Sequence, residues 1–337
     1  MTASPSSVAD WIAGHPGGFS ATAGPAEAPT ADRAVVAGVH RPATRLARIL
    51  RIEGTGAPLT AAVANFIDQA RGRGCVTIRC ELADDRRSEI AALETAGFER
   101  VPAAVHQSQP ARGVVRLALN RGGPNSERRV TYYGQSTDFT CGPVALMLAG
   151  HRLDPAAPVD RAREVALWRQ ATTVHAPGGP GGCDPMGMAC AAVRMGLRVR
   201  IISTTEGPFL LDRAANERTR ELMRFVQAGF REEARGLNIP VEIREWTLDD
   251  LRAAVSAGGL AIILIEQTLM TGHDTPHWIL AYAEEDGVVL IDDPWVDPGN
   301  WETDTDKFAV PIDFNILDRM AWCGTATRCR VVLLLSR

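Results

Sequence analysis

The sequence lacks a basic stretch leading into an apolar one at its start, Met1 to Pro5, and nowhere holds an apolar run near the roughly 18 residues that cross a bilayer. A cytoplasmic protein with no membrane partner is expected. Runs of five or six basic residues are absent too. With a formal net charge of -4 and a pI near 6.0, this removes the electrostatic footprint of nucleic-acid binding. No C-x-x-C pair occurs among the cysteines, which stand at 75, 80, 141, 183, 190, 323 and 329. Their number is odd, so they read as reduced thiols, mostly buried and inert, and no metal site or cofactor is expected. No internal repeat and no long low-complexity tract appears beyond the N-terminal segment. What remains is ordinary: 337 residues, 45% hydrophobic and 23% charged, suit two globular domains.

Residues 1–32 are rich in Ala, Pro, Gly, Ser and Thr, and only Val8 to Ile12 looks able to pack, so a flexible segment is expected there. From Arg33 the pattern changes. Ala34 to His40 and Arg45 to Ile52 read as strands, Leu59 to Arg71 as a helix, Val76 to Leu82 as a strand, and Arg87 to Ala96 as a helix closed by Gly97. Val101 to His106 and Gly113 to Leu119 read as two closing strands. This order, with Leu93-Glu94-Thr95-Ala96-Gly97-Phe98-Glu99-Arg100, resembles the C-terminal half of a GNAT acetyltransferase over about 90 residues. The resemblance implies a small α/β domain at 33–120 with Leu59 to Arg71 as the cofactor helix. Only Gly54-Thr55-Gly56 precedes that helix, without the family's basic or Gln signature, so a degenerate, supporting half-domain is expected. Residues 121–130, with Gly122, Gly123 and Pro124, read as a linker to a second domain at 131–337.

The chemistry sits in that second domain. Tyr132 to Thr140 is a polar loop, and Cys141-Gly142-Pro143 leads into the apolar run Val144 to Ala149. Pro143 suits a first helical turn, which places Cys141 at a helix N-terminus, where unpaired N–H groups and the helix dipole favour a thiolate. Gln135 lies upstream in the same loop, placed to donate to an oxyanion. Far along the chain, Thr275-Pro276-His277 opens a strand at Trp278 to Tyr282, and Gly287 to Ile291 returns to Asp292-Asp293-Pro294-Trp295. An antiparallel hairpin brings His277 and Asp293 to one end of a sheet, where a carboxylate can fix the imidazole tautomer.

These residues resemble the double-glycine leader peptidases, papain-like cysteine peptidases that process bacteriocin precursors. Gly182-Cys183-Asp184-Pro185-Met186-Gly187-Met188-Ala189 and Leu248 to Ile265 extend the likeness to about 200 residues. The resemblance implies an α+β papain-like fold, with Cys141 as nucleophile, His277 as general base, Asp293 as orienting acid and Gln135 as oxyanion donor. The chain departs from transporter-fused members in having no membrane-spanning segment. It also carries a charged, helical insertion at Thr204 to Arg244, placed to cap the cleft.

Other residues compete for these roles. His273 and His277 have metal-ligand spacing, but Pro276 between them argues against a shared helical face. Asp292 neighbours Asp293, yet adjacent strand residues point to opposite faces, so only one reaches the histidine. Trp278 and Trp295 read as core or cleft wall, and Ala176 to Pro185 as a surface loop. The expected function is a cysteine peptidase or amidase acting on a peptide or amide-containing small molecule. An acyltransferase or amide-forming enzyme with the same triad is the first alternative, and an inactive binding module the second.

Overall fold

A computed structural model describes residues 7–24, 33–101, 113–120, 131–173, 181–325 and 328–337, and its contacts divide them into two units. The linker expected at 121–130 lies outside the described residues, as does all but the first residue of the strand expected at Val101 to His106.

The first unit contains α1 (Val8–Gly14), β1 (Gly18–Ala23), β2 (Ala34–His40), β3 (Leu46–Glu53), α2 (Gly56–Gly72), β4 (Thr77–Ala83), α3 (Arg87–Thr95), β5 (Glu99–Arg100) and β6 (Val114–Asn120), and it also takes in residues 297–306. Its sheet runs β1-β2-β3-β4-β6-β5, antiparallel except for the parallel β3 and β4. The helix α2 buries Leu59, Ala62, Val63, Phe66, Ile67 and Ala70, a spacing of three and four that makes one continuous apolar face. Gly97 has φ +94 and closes α3 as expected, with the Phe98 N–H returning to the Leu93 carbonyl.

The flexible segment expected at 1–32 is corrected for residues 8–23. Ser7 caps α1, β1 pairs with β2 along its whole length, and Phe19 stacks on Phe66 at 4.4 Å between ring centroids. Gly18-Phe19-Ser20-Ala21-Thr22-Ala23 has little intrinsic preference for a strand. The ladder to β2 and the buried aromatic pair stabilise it instead.

Alternation along the strands puts Arg48, Arg79, Glu81 and Arg116 away from the α2 core, yet three of these four are almost fully buried. Residues 297–306 satisfy much of this charge: Asp306 meets Arg41 Nε at 2.9 Å and Arg48 Nε at 3.5 Å, and the Thr305 carbonyl accepts from Arg79 at 2.7 Å. Glu81 pairs with Arg48 at 3.0 Å and Arg116 at 2.8 Å.

The second unit contains α4 (Cys141–Leu153), α5 (Arg161–Ala171), α6 (Pro185–Arg194), β7 (Arg198–Ser203), α7 (Glu217–Gly236), β8 (Val241–Ile243), α8 (Leu248–Ser256), β9 (Leu260–Glu266), α9 (Thr268–Thr271), β10 (Pro276–Glu285), β11 (Val288–Asp292), β12 (Val310–Asp313), α10 (Phe314–Met320) and β13 (Val331–Ser336). The sheet order is β12-β11-β10-β9-β13-β7-β8, antiparallel except for β7 and β8. The unit is therefore α+β. All six residues from Leu260 to Ile265 are buried, as expected of a central strand covered on both faces. Against β9 and β10 packs α4, whose residues Cys141 to Gly150 are all buried. No helix among the described residues is long and apolar enough to cross a membrane.

Candidate active site

Cys141 is the first residue of α4 and Pro143 the third, so the thiol sits where the helix leaves its N–H groups unpaired. Gly142 permits the close approach of three elements here. A Cβ at that position would lie 2.8 Å from Met188 Sδ on α6, 3.1 Å from Trp278 Cδ1 on β10 and 3.3 Å from Cys183 Cβ.

The loop before the helix is held at both ends. Tyr132 Oη donates to the Asp293 carbonyl at 2.7 Å and the Gln135 N–H to the Pro294 carbonyl at 2.8 Å. From α5, the fully buried Glu164 accepts from Tyr133 Oη at 2.8 Å, from the Ser136 N–H at 2.8 Å and from the Thr140 hydroxyl.

His277 is the second residue of β10, in register with Ile265 of β9, and Asp293 follows directly on β11. The hairpin brings them together: His277 Nε2 and Asp293 Oδ1 are 2.7 Å apart, both almost wholly buried. The Trp295 N–H also donates to Oδ1 at 2.9 Å, and Lys307 Nζ donates to Oδ2 at 2.9 Å, so both carboxylate oxygens are engaged. With Nε2 committed to Asp293, the other ring nitrogen is left to make the hydrogen bond between His277 and Cys141.

The electrostatics follow from these contacts. Burial alone pushes the Cys141 thiol up, but the His277 hydrogen bond and charge, with the Trp278 and Gly142 N–H groups, bring it below its ordinary value. Burial opposes charge on His277 as well, yet the Asp293 carboxylate and the Cys141 sulfur raise it to about 9. Asp293, despite its burial, is held far below the usual carboxylate range by the charges of Lys307 and His277. Both shifts favour a thiolate paired with an imidazolium. Burial drives the other six thiols the opposite way: Cys75 and Cys329 to about 11, Cys80 and Cys190 to about 12, Cys183 and Cys323 well above 9.

Gln135 takes a different position from the other three. Its Nε2 donates to the Thr137 carbonyl at 2.7 Å, and its Oε1 is buried without a hydrogen bond. Asp292 faces away from His277, accepting from Arg152 at 2.7 Å and from the Ala309 N–H at 2.9 Å. His273 is exposed beyond the end of α9, after Gly272 with φ +78. Among the described residues no group of three His, Cys, Asp or Glu side chains is arranged to hold a metal. Trp278 is buried and lines the cleft, while Trp295 is half-buried.

Beside Cys141 lies a cavity of about 270 Å³ with apolar walls that include Trp278, Leu264, Phe209 and Met223. Phe209 and Met223 come from the segment 204–244, which supplies part of the cavity wall. Its Gln227 side chain fixes Phe209 as a strand would, accepting from the Phe209 N–H at 2.6 Å and donating to its carbonyl at 2.9 Å.

Residues 130–336 match the model of the Peptidase_C39 like family, which is more than half of the chain. The chain belongs to this family. The chain is similar to the peptidase domain of Streptococcus ComA, a bi-functional ABC transporter involved in a quorum sensing pathway. Identity is 12%, with 60% of this chain and 96% of that one covered and a TM-score of 0.29. Part of the chain is similar to an IAA acetyltransferase from Bacillus cereus, at 15% identity over 26% of this chain and 69% of that one, with a TM-score of 0.21. The ribosomal-protein-S18-alanine N-acetyltransferase from Escherichia coli is similar at 17% identity over 33% and 71%, with a TM-score of 0.21. Among curated proteins, none matches the sequence.

Two residues of the C39-like site were not singled out from the sequence. Glu164 carries no local signal, since a glutamate in a charged helix reads as solvated. Lys307 does carry one: it is the single lysine of a chain whose other basic side chains are all arginine.

Proposed function

We propose that this protein is a cysteine peptidase or amidase that works through an acyl-thioester on Cys141. The observation that carries this reading is the buried line Cys141, His277, Asp293, in which one thiol of seven is lowered while burial raises the rest. The thiolate adds to the amide carbonyl carbon, and the oxyanion is met by the Cys141 N–H at the helix start and by Gln135, whose amide keeps a second N–H. As the C–N bond breaks, the leaving amine takes its proton from the His277 imidazolium. Water then attacks the thioester, gives its proton to His277, and releases the acid as the C–S bond breaks. The apolar walls beside Cys141 suit an apolar group on the acyl side of the scissile bond.

Incubating a mixed peptide library with the protein in H2¹⁸O, with Cys141→Ala as control, tests this by mass spectrometry. One ¹⁸O atom in each new carboxyl, absent with the variant, is the expected result. New amides formed with added amines would instead assign acyl transfer, and no Cys141-dependent product of either kind would contradict both. With a cleaved peptide in hand, kcat/KM should decline above about pH 9, as His277 loses the proton that the leaving amine needs. A rate still rising at pH 10.5 would place the imidazole outside the reaction.

A further inference from the structure

Lys307 lies outside the nucleophile, base and acid, yet it is the chain's only lysine and its ammonium is buried against the acid. We propose that Lys307 is a positioning residue for the reaction: it fixes the Asp293 carboxylate toward His277 and supplies the charge that makes Lys307, Asp293, His277 and Cys141 neutral as a set. The inference rests on the cysteine chemistry proposed above.

Geometry carries the argument. Nζ is 2.9 Å from Asp293 Oδ2, with side-chain exposures of 5% and 1%, and the Asp293 N–H donates to the Lys307 carbonyl at 2.8 Å. The two residues are thus tied through both side chain and backbone, and Oδ1 remains for His277. A compact ammonium on a flexible stem satisfies one carboxylate oxygen, whereas a guanidinium fork spans two and would compete with the imidazole for Oδ1. A chain that uses arginine at every other basic position keeps lysine here.

The charge count gives the sign. With Lys307 present, two cations and two anions share a buried site. Without it, carboxylate and thiolate together outweigh the imidazolium, and the site relieves that excess by taking up a proton, first on the sulfur. The neighbouring carboxylate is already committed: Asp292 to Arg152. Cys183, which faces Cys141, is held as a thiol by its burial. Trp295, Trp278 and Gly142 contribute N–H groups, which do not titrate.

The test is the rate of iodoacetamide alkylation at Cys141 against pH in the full chain. Lys307→Met is expected to move the acid limb up by about one pH unit, a tenfold slower reaction at pH 6, while Lys307→Arg, which keeps the charge but competes for Oδ1, moves it by clearly less. A folded Lys307→Met with a wild-type profile would overturn the inference, as would an equal shift in Lys307→Arg. Should Lys307→Met fail to fold by circular dichroism, the wild type itself decides. Selective ¹³Cε-lysine labelling gives one side-chain resonance, because there is one lysine. That resonance should shift with the midpoint of the Cys141 acid limb, and a static signal would overturn the proposal. If wild-type Cys141 titrates like the other thiols, the proposed function itself fails. An activated Cys141 that ignores Lys307 removes only this inference.

Discussion

His277→Ala should slow alkylation of Cys141 at pH 6 by about 100-fold, leaving the other six cysteines unchanged. An ordinary thiol near pKa 8.5 is well under one per cent ionised at pH 6, whereas in the wild type the His277 charge and hydrogen bond lower the Cys141 thiol and favour the thiolate. Without the imidazole, burial again raises the thiol, and only the Trp278 and Gly142 N–H groups and the start of α4 oppose it. A residual reactivity somewhat above that of a buried free thiol is therefore expected, which peptide mass spectrometry resolves cysteine by cysteine. A loss below about threefold would mean that Cys141 owes its state to the helix and not to His277.

The second large effect is on stability. Glu164→Ala removes the acceptor of three donors: it strands the buried Tyr133 hydroxyl, leaves the Ser136 N–H to solvent, and returns the Thr140 hydroxyl to its weaker partners at Thr137. The stranded hydroxyl and the two weakened bonds together are expected to cost about 2 kcal/mol. Against a typical net stability of about 5–15 kcal/mol that is a large fraction. It should lower the urea midpoint of the unit that contains α5 by about 1 M. These donors lie in the loop that presents Cys141, so alkylation at that residue should slow in the same variant. An unchanged midpoint would show that the loop is held by Tyr132 and Gln135 through their bonds to residues 293 and 294 alone.

Where structure follows from local pattern, the sequence was readable. The strand expected at Ala34 to His40 coincides with β2, and the apolar spacing from Leu59 to Ala70 is the buried face of α2. Polar loop, cysteine, glycine and proline before a hydrophobic run located the start of α4; a hairpin argument brought one aspartate of the pair to His277, and the Asp-Pro pairing of the resembled family chose Asp293 over Asp292. What escaped depends on partners distant in sequence. The strand Gly18–Ala23 exists because β2 and Phe66 are there to receive it. Residues 297–306, which begin four positions after Asp293, join the first unit because Arg41 and Arg48 meet Asp306, a pairing across more than 250 positions that no window of sequence contains. Glu164 likewise acts only through the loop it holds. Lys307 was legible in principle, since a lone lysine among arginines is a compositional fact, but its meaning required Asp293 beside it.

The central claim is that one buried thiol of seven is ionised by its neighbours, and its most direct test is wild-type alkylation at each cysteine from pH 5 to 10. The account predicts that Cys141 alone reacts rapidly at pH 6, while Cys75, Cys80, Cys183, Cys190, Cys323 and Cys329 stay slow until the pH is far higher. A Cys141 that reacts only in step with those six would contradict it.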